Sequence, residues 1–154
     1  MIILRWALAL GVGGFLILFG VTKFTGGAHI FPYIEYKASG FGLPLAELAY
    51  PLLNYATGAL EIGAGVLLIL PMTRKLGAML SVLPFLGAVI FHLSPLLGVS
   101  TPTGYADPPP AEALAAGGPF AASDFSSEMT TVLFMIAVAG LLAAIINLIV
   151  QRNA

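Results

Sequence analysis

Residues 48–71 read LAYPLLNYATGALEIGAGVLLILP, and Glu61 is the only charged residue among them. A helix of about 20 residues crosses the hydrocarbon core of a bilayer, which is roughly 30 Å thick, so this run is long enough to span a membrane. Asn54, Gly58, Glu61 and Gly65 follow one another at helical spacing and share one face of that helix. The stretch therefore predicts a membrane-spanning helix with a carboxyl group near the bilayer midplane.

The whole chain has the composition of a membrane protein. Of its 154 residues, 59% are apolar and 8% are charged, whereas about 25% are charged in soluble domains. So few charged groups cannot cover the surface of a soluble protein of this size. The net charge of −1 offers no basic stripe for nucleic acid, and the lack of Cys excludes disulfides, thiolate zinc sites and iron–sulfur clusters.

Four apolar runs predict an all-α integral membrane protein, a four-transmembrane-helix bundle that forms a single domain over residues 1–154. We place the helices at about 2–22, 48–71, 76–96 and 129–150, with outer loops at about 23–47 and 97–128. Arg5, Arg74, Lys75 and Arg152 all fall on one side of such a chain. The positive-inside rule therefore predicts that both termini and the turn between helices two and three are cytoplasmic.

The first helix and the two outer loops carry further expectations. The first run resembles a signal peptide but is longer than an h-region, so we expect a retained helix. The first loop is rich in aromatic residues, which is typical of chain at the lipid headgroups. The second loop contains Pro108–Pro110 followed by small residues, which favours a loop or a loosely packed cap, with helix four starting within 124–128.

Each predicted helix has a face of small and polar residues spaced three or four apart. Membrane bundles close through such faces, because lipid provides no hydrophobic drive between helices. The four faces are Ala9, Gly13, Leu16, Gly20 and Lys23; Asn54, Gly58, Glu61 and Gly65; Gly77, Ser81, Ala88, His92 and Pro95; and Gly140, Ala144, Asn147 and Gln151. We interpret the Gly, Ala and Ser positions as packing contacts.

Packing alone does not explain the ionisable residues on these faces. Glu61 lies roughly 16 Å deep, and a charge there is costly unless it takes a proton or finds a partner. His92 belongs to the outer leaflet, and Lys23 ends helix one on the same side. We predict that the three line one outward-opening cavity, with Asn54 beside Glu61 and with His92 between the other two in depth. The alternatives are a protonated Glu61 that bonds between helices and a Lys23 that extends to the headgroups.

An acid, an imidazole and an ammonium in an apolar pocket suit a ligand that has carbonyl or hydroxyl groups and exchanges protons, such as a quinone. They would equally suit a proton-coupled path for a small molecule. His29 also lies on the outer side, so His29 and His92 together could ligate haem or a metal, but no spacing motif supports this and we predict no metal site.

A series of short motifs runs through the first three helices in a fixed order. It comprises Arg5, Gly11, Phe15, Gly20 and Lys23; then Gly42, Leu43 and Pro44; then Glu61, Gly63, Gly65, Leu67, Leu68, Arg74 and Gly77; and then His92. In order and spacing these motifs resemble the DoxX-like family of small membrane proteins over residues 4–96, about three-fifths of the chain. The resemblance implies a four-helix, multi-pass protein of the bacterial cytoplasmic (inner) membrane, with Lys23, Glu61 and His92 as matching polar positions.

Characterised relatives in that family are associated with quinone-linked oxidoreductase systems, including a thiosulfate:quinone oxidoreductase subunit. The resemblance implies an accessory or quinone-interacting subunit of a membrane redox system, with membrane lipid, quinone and an oxidoreductase subunit as partners and with no intrinsic cofactor. Two alternatives remain open: a non-enzymatic small-molecule or lipid-binding protein or permease, and a structural or assembly subunit. Catalysis and oligomeric state stay open at this point.

Overall fold

The computed structural model describes residues 2–44 and 46–152, which are helical apart from loops and one two-stranded sheet. In chain order the helices are α1 (Ile2–Phe24), α2 (Ile30–Gly40), α3 (Asn54–Ile69), α4 (Arg74–Leu93), α5 (Ala111–Ala116) and α6 (Val132–Arg152). A 3-10 turn (Ala46–Leu48) and a π-helical turn (Ala49–Leu53) lead into α3, and a further 3-10 turn covers Ala122–Asp124. Strands β1 (Thr101–Pro102) and β2 (Met129–Thr130) pair antiparallel.

Four helices are long and apolar enough to cross a membrane: α1, α3 with the turns before it (Ala46–Ile69), α4 and α6. Their outer faces are apolar, and Leu18, Ile90 and Met135 remain 69%, 59% and 64% exposed. Large apolar side chains are stable at such positions when lipid or another apolar surface covers them. The expected all-helical architecture with four membrane-spanning candidates is thus confirmed.

Two helix boundaries differ from the expected ones because of proline. Tyr50 is extended (φ −137°, ψ 134°) ahead of Pro51, so the regular helix begins at Asn54 rather than at residue 48. Ser94 is extended (φ −91°, ψ 159°) ahead of Pro95, so α4 ends at residue 93 instead of residue 96. In both places the proline ring disfavours helical backbone for the residue before it.

The start of the last helix also differs from expectation. The sequence places the helix at about 129–150, with 124–128 as its N-terminal start, but α6 begins at Val132. Met129 and Thr130 instead form β2, where they pair with Pro102 and Thr101. The Thr130 hydroxyl then accepts a hydrogen bond from the Val132 amide at 3.1 Å, which satisfies one of the free amides at the helix N-terminus.

The bundle closes through the small-residue faces. Helix α1 packs on α3, α3 on α4 and α4 on α6, and α6 returns to contact α1. The buried members of the expected faces are Ala9, Gly13, Leu16, Gly20, Lys23, Asn54, Gly58, Glu61, Gly65, Gly77, Ser81, His92, Ala144, Asn147 and Gln151. Ala88 and Gly140 are half-buried. Pro95 is exposed, so its assignment to a packing face is wrong, because α4 has ended before it.

The two long connections form a cap over one end of the bundle, which we name the cap end. Helix α2 packs on the turns that precede α3. Phe120 and Phe125, from the second connection, are each only 6% exposed and form one buried cluster with Tyr50. The sequence predicts a loop or a loosely packed cap, and the segment does form a cap; its packing is closer than expected at Phe120 and Phe125, which are buried despite the surrounding proline-rich and alanine-rich sequence.

Candidate functional site

A buried ion pair joins α1 to α3 near the cap end. The Lys23 ammonium donates to Glu61 Oε2 at an Nζ–Oε2 distance of 2.6 Å, and the two side chains are 9% and 10% exposed. The Lys23 side chain thus points into the bundle, so the alternative in which it extends to the lipid headgroups is wrong. The Lys23 ammonium and the Glu61 carboxylate therefore meet directly, without His92 between them.

Two glycines bring these charged groups within reach of each other. A Cβ on Gly20 would lie 2.7 Å from the Gly58 carbonyl oxygen, which no real side chain tolerates. A Cβ on Gly58 would lie 3.1 Å from the Lys23 Cβ. The absence of both Cβ atoms lets the backbones of α1 and α3 approach closely, as small residues do in membrane bundles.

Asn54 secures the end of α1 at the same place. Its Nδ2 donates to the Lys23 carbonyl oxygen at 2.9 Å, and this carbonyl lies in the last turn of α1, where intrahelical partners run out. Asn54 is 1% exposed, and it does not line the cavity that lies beside the ion pair and is described next. Its contact holds the backbone that carries Lys23, which makes it a positioning residue in this arrangement.

A cavity of about 460 Å³ lies beside the ion pair, within the size range of small-molecule sites. Lys23, Glu61 and His92 all line it, so the predicted shared cavity is present. The remaining wall is mainly apolar and comes from α1, α2, α3, α4 and α6. Its large apolar side chains include Phe15, Phe19, Ile34, Leu60, Phe85, Phe91, Leu133 and Ile136.

Two imidazoles, those of His29 and His92, line this cavity. His92 Nδ1 lies 2.8 Å from the Gly98 carbonyl oxygen, and His29 Nε2 lies 2.9 Å from the Pro102 carbonyl oxygen. A carbonyl only accepts, so the bonded nitrogen of each ring carries the proton. In the neutral rings His92 Nε2 and His29 Nδ1 are therefore acceptors. Burial lowers the pKa of His29, although its bond to Pro102 opposes this effect, and the lowered pKa favours the neutral ring.

The cap reaches the cavity wall through side chains that sequence reasoning did not single out. The Tyr105 hydroxyl donates to the Ala28 carbonyl oxygen at 2.9 Å, and Ala28 and His29 both line the cavity. Burial raises the pKa of Tyr105, which keeps the phenol protonated and able to donate. The second connection thus holds the chain at the edge of the cavity.

Glu35 is a second buried acidic residue, and its role in holding the cap together was not predicted from the sequence. It is 4% exposed and accepts from the Phe120 amide at 3.1 Å and from the Ser39 hydroxyl at 3.2 Å. The spacing of Glu35 and Ser39, four apart on one helix, was the available signal. The contact with Phe120 had no local signal, because the two residues are 85 apart in sequence.

The described residues do not include a cluster that could hold a metal ion. Within residues 2–44 and 46–152, no group of three or more His, Cys, Asp or Glu side chains is placed to hold a metal ion. His29 and His92 instead bond to backbone carbonyls.

No family model, no curated protein and no solved structure matches this chain.

Proposed function

We propose that this chain is a quinone-interacting, accessory subunit of a membrane redox system. The observation that carries the proposal is the 460 Å³ cavity, in which an apolar wall surrounds an ammonium–carboxylate pair and two imidazoles. Apolar walls with a few convergent polar groups are typical of small-molecule sites. A quinone has matching chemistry, since its ring and isoprenoid tail are apolar and its two oxygens are polar.

The residues present fit a quinone head group. A bound quinone would supply two-electron, two-proton redox chemistry. The Lys23 ammonium can donate to a ligand carbonyl, while His92 Nε2 and His29 Nδ1 can accept from a ligand hydroxyl. Glu61 holds Lys23 in place and can exchange a proton with it across 2.6 Å.

Electrons would have to come from a partner protein. The sequence contains no Cys to ligate an iron–sulfur cluster and shows no flavin or nucleotide motif. We therefore include an oxidoreductase subunit in the proposal as the partner. The resemblance to DoxX-like proteins of the bacterial cytoplasmic membrane supports this assignment through Lys23, Glu61 and His92.

Binding of a quinone to the purified protein tests the proposal. We expect native mass spectrometry of protein extracted in mild detergent to detect a co-purifying quinone, and isothermal titration calorimetry with a short-chain ubiquinone to show saturable binding. His92→Ala should weaken ubiquinone binding about tenfold, the equivalent of one strong hydrogen bond. Ile90→Ala is the matched control, because Ile90 lies on the same helix, is 59% exposed and does not line the cavity.

A second candidate is a non-enzymatic protein that binds a lipid or another apolar small molecule. The predominantly apolar wall of the cavity favours this reading. Native mass spectrometry separates the two candidates by the mass of the bound molecule. Equal loss of ubiquinone binding in His92→Ala and Ile90→Ala, or no binding in the unaltered protein, would contradict the quinone proposal.

A further inference from the structure

A second cavity lies at the opposite end of the bundle, and it is basic. Its volume is about 210 Å³, and Arg5, Arg74 and Lys75 all line it. Arg5 comes from the start of α1, whereas Arg74 and Lys75 begin α4. Three cationic side chains from two helices therefore surround one space.

No carboxylate of the sequence is near these cations along the chain. Asp and Glu are absent from residues 1–34, 62–106 and 129–154. Among the described residues, the only ion pair is Lys23–Glu61, which belongs to the cap end. The basic cavity thus concentrates positive charge without an acidic partner from residues 2–44 or 46–152.

Some of these donors are already fixed, and others are free for a ligand. Arg74 donates through Nε to the Leu68 carbonyl oxygen and through Nη2 to that of Ile69, both at 3.2 Å, and its guanidinium lies 3.9 Å from the centre of the Trp6 ring. These contacts hold Arg74 in one position. Arg5 Nε, by contrast, is buried with no hydrogen-bond partner.

A buried guanidinium nitrogen without an acceptor is costly, so it points to a ligand that supplies one. Gln151 lies against the same cavity and donates to the Arg5 carbonyl oxygen at 3.1 Å, which fixes the backbone that carries the guanidinium. The Lys75 ammonium has no hydrogen bond to a described residue. The cavity therefore presents two uncommitted cationic groups on a rigid frame.

We propose that this cavity binds the phosphate of an anionic phospholipid. Guanidinium and ammonium groups match phosphate oxygens in charge and hydrogen-bonding geometry, and basic pockets between membrane helices recognise lipid head groups. A lipid fits better than free phosphate, because the rim carries Ile2 and Trp6, which are 69% and 37% exposed. These apolar groups can contact the glycerol and acyl chains. The site is separate from the quinone cavity and does not depend on it.

Lipid exchange in nanodiscs tests this site. We expect the purified protein, analysed by native mass spectrometry, to retain phosphatidylglycerol over phosphatidylcholine. Lys75→Gln should weaken phosphatidylglycerol retention about tenfold, which corresponds to one charged hydrogen bond. Lys37→Gln is the matched control, because Lys37 belongs to α2 at the cap end.

Two further measurements keep the outcome decisive. Arg5→Gln should weaken retention as strongly, and Lys75→Gln answers the question alone if Arg5→Gln does not fold, since Lys75 has no structural hydrogen bond. Millimolar inorganic phosphate should not displace the lipid. Equal retention of the two lipids, equal losses in Lys75→Gln and Lys37→Gln, or displacement by inorganic phosphate would each overturn the proposal.

Discussion

At the scale of single residues, the Lys23–Glu61 pair decides whether charge is tolerated inside this bundle. Each group alone would lose much of its hydration on burial among apolar side chains, at a cost of several kcal/mol. The 2.6 Å contact offsets that cost for both groups together. The two residues should therefore be coupled: a protein with only one of the two charges should be less stable than a protein with neither.

A double-mutant cycle measures that coupling. Lys23→Met and Glu61→Met each leave one buried charge without a partner, so each should lower the free energy of unfolding by about 3–5 kcal/mol. The double variant removes both charges and fills the space with flexible apolar side chains, so it should lose less than either single variant. Unfolding of the detergent-solubilised protein in sodium dodecyl sulfate gives the three values.

A second cycle with Lys37→Met in place of Lys23→Met provides the comparison. Lys37 makes no ion pair with a described residue and lies 5.6 Å from the centre of the Phe41 ring. Its replacement should therefore add independently to that of Glu61. Strict additivity of Lys23→Met and Glu61→Met would show that the two charges do not stabilise each other.

At the scale of elements, the α1–α3 interface depends on two glycine contacts. Gly20 meets Gly58 beside the ion pair, and Gly13 meets Gly65 about two turns away on the same faces. A Cβ on Gly13 would lie 2.9 Å from both the Gly65 carbonyl oxygen and the Ile69 Cγ1. Because backbone atoms of a packed helix cannot move aside alone, any side chain here forces the helices apart.

Substitution of adjacent glycines isolates this effect. Gly13→Ala should lower the free energy of unfolding by about 1–3 kcal/mol, through overpacking at the interface. Gly14→Ala should instead leave it unchanged or raise it by up to about 1 kcal/mol, since its Cβ would meet nothing within 4 Å and Ala is the better helix former. Thermal unfolding of both variants in one detergent measures the difference. A loss in Gly14→Ala as large as in Gly13→Ala would count against close packing of α1 on α3.

The elements also show what the sequence can and cannot predict. The four long helices and their buried faces follow from apolar length and from small residues spaced three or four apart, because in lipid only those faces have a reason to meet. The meeting of Lys23, Glu61 and His92 at one cavity follows from the same faces. The inward turn of Lys23 does not, since it depends on how closely Gly20 and Gly58 approach.

The packing of the cap could not be predicted from sequence patterns, for a different reason. Its contacts join residues far apart in the chain, such as His29 with Pro102 and Glu35 with Phe120, which are 73 and 85 positions apart. No periodicity links such pairs, and single aromatic residues in a proline-rich segment carry no sign of burial. Helix ends next to proline were better signalled, because Pro51 and Pro95 restrict the residue before them.

At the scale of the whole molecule, the two ends of the bundle differ in chemistry. Arg5, Arg74, Lys75 and Arg152 lie at the end opposite the cap. At the cap end, Lys23 is neutralised by Glu61, which leaves Lys37 as the unpaired cation among the described residues there. Basic residues resist transfer across the membrane, so this asymmetry favours insertion with the cap on the outer side.

Cysteine labelling in intact cells tests this orientation without background, because the chain contains no Cys. Ala115→Cys lies on exposed α5 in the cap and should react with a membrane-impermeant maleimide added outside. Met72→Cys, at a position 99% exposed in the turn before α4, should react only after the membrane is permeabilised. Ala144→Cys, at a position 0% exposed, controls for unfolding and should stay unlabelled in both conditions. Labelling of Met72→Cys in intact cells would reverse the orientation, place the basic cavity outside, and turn the cavity beside the Lys23–Glu61 pair toward the cytoplasmic leaflet.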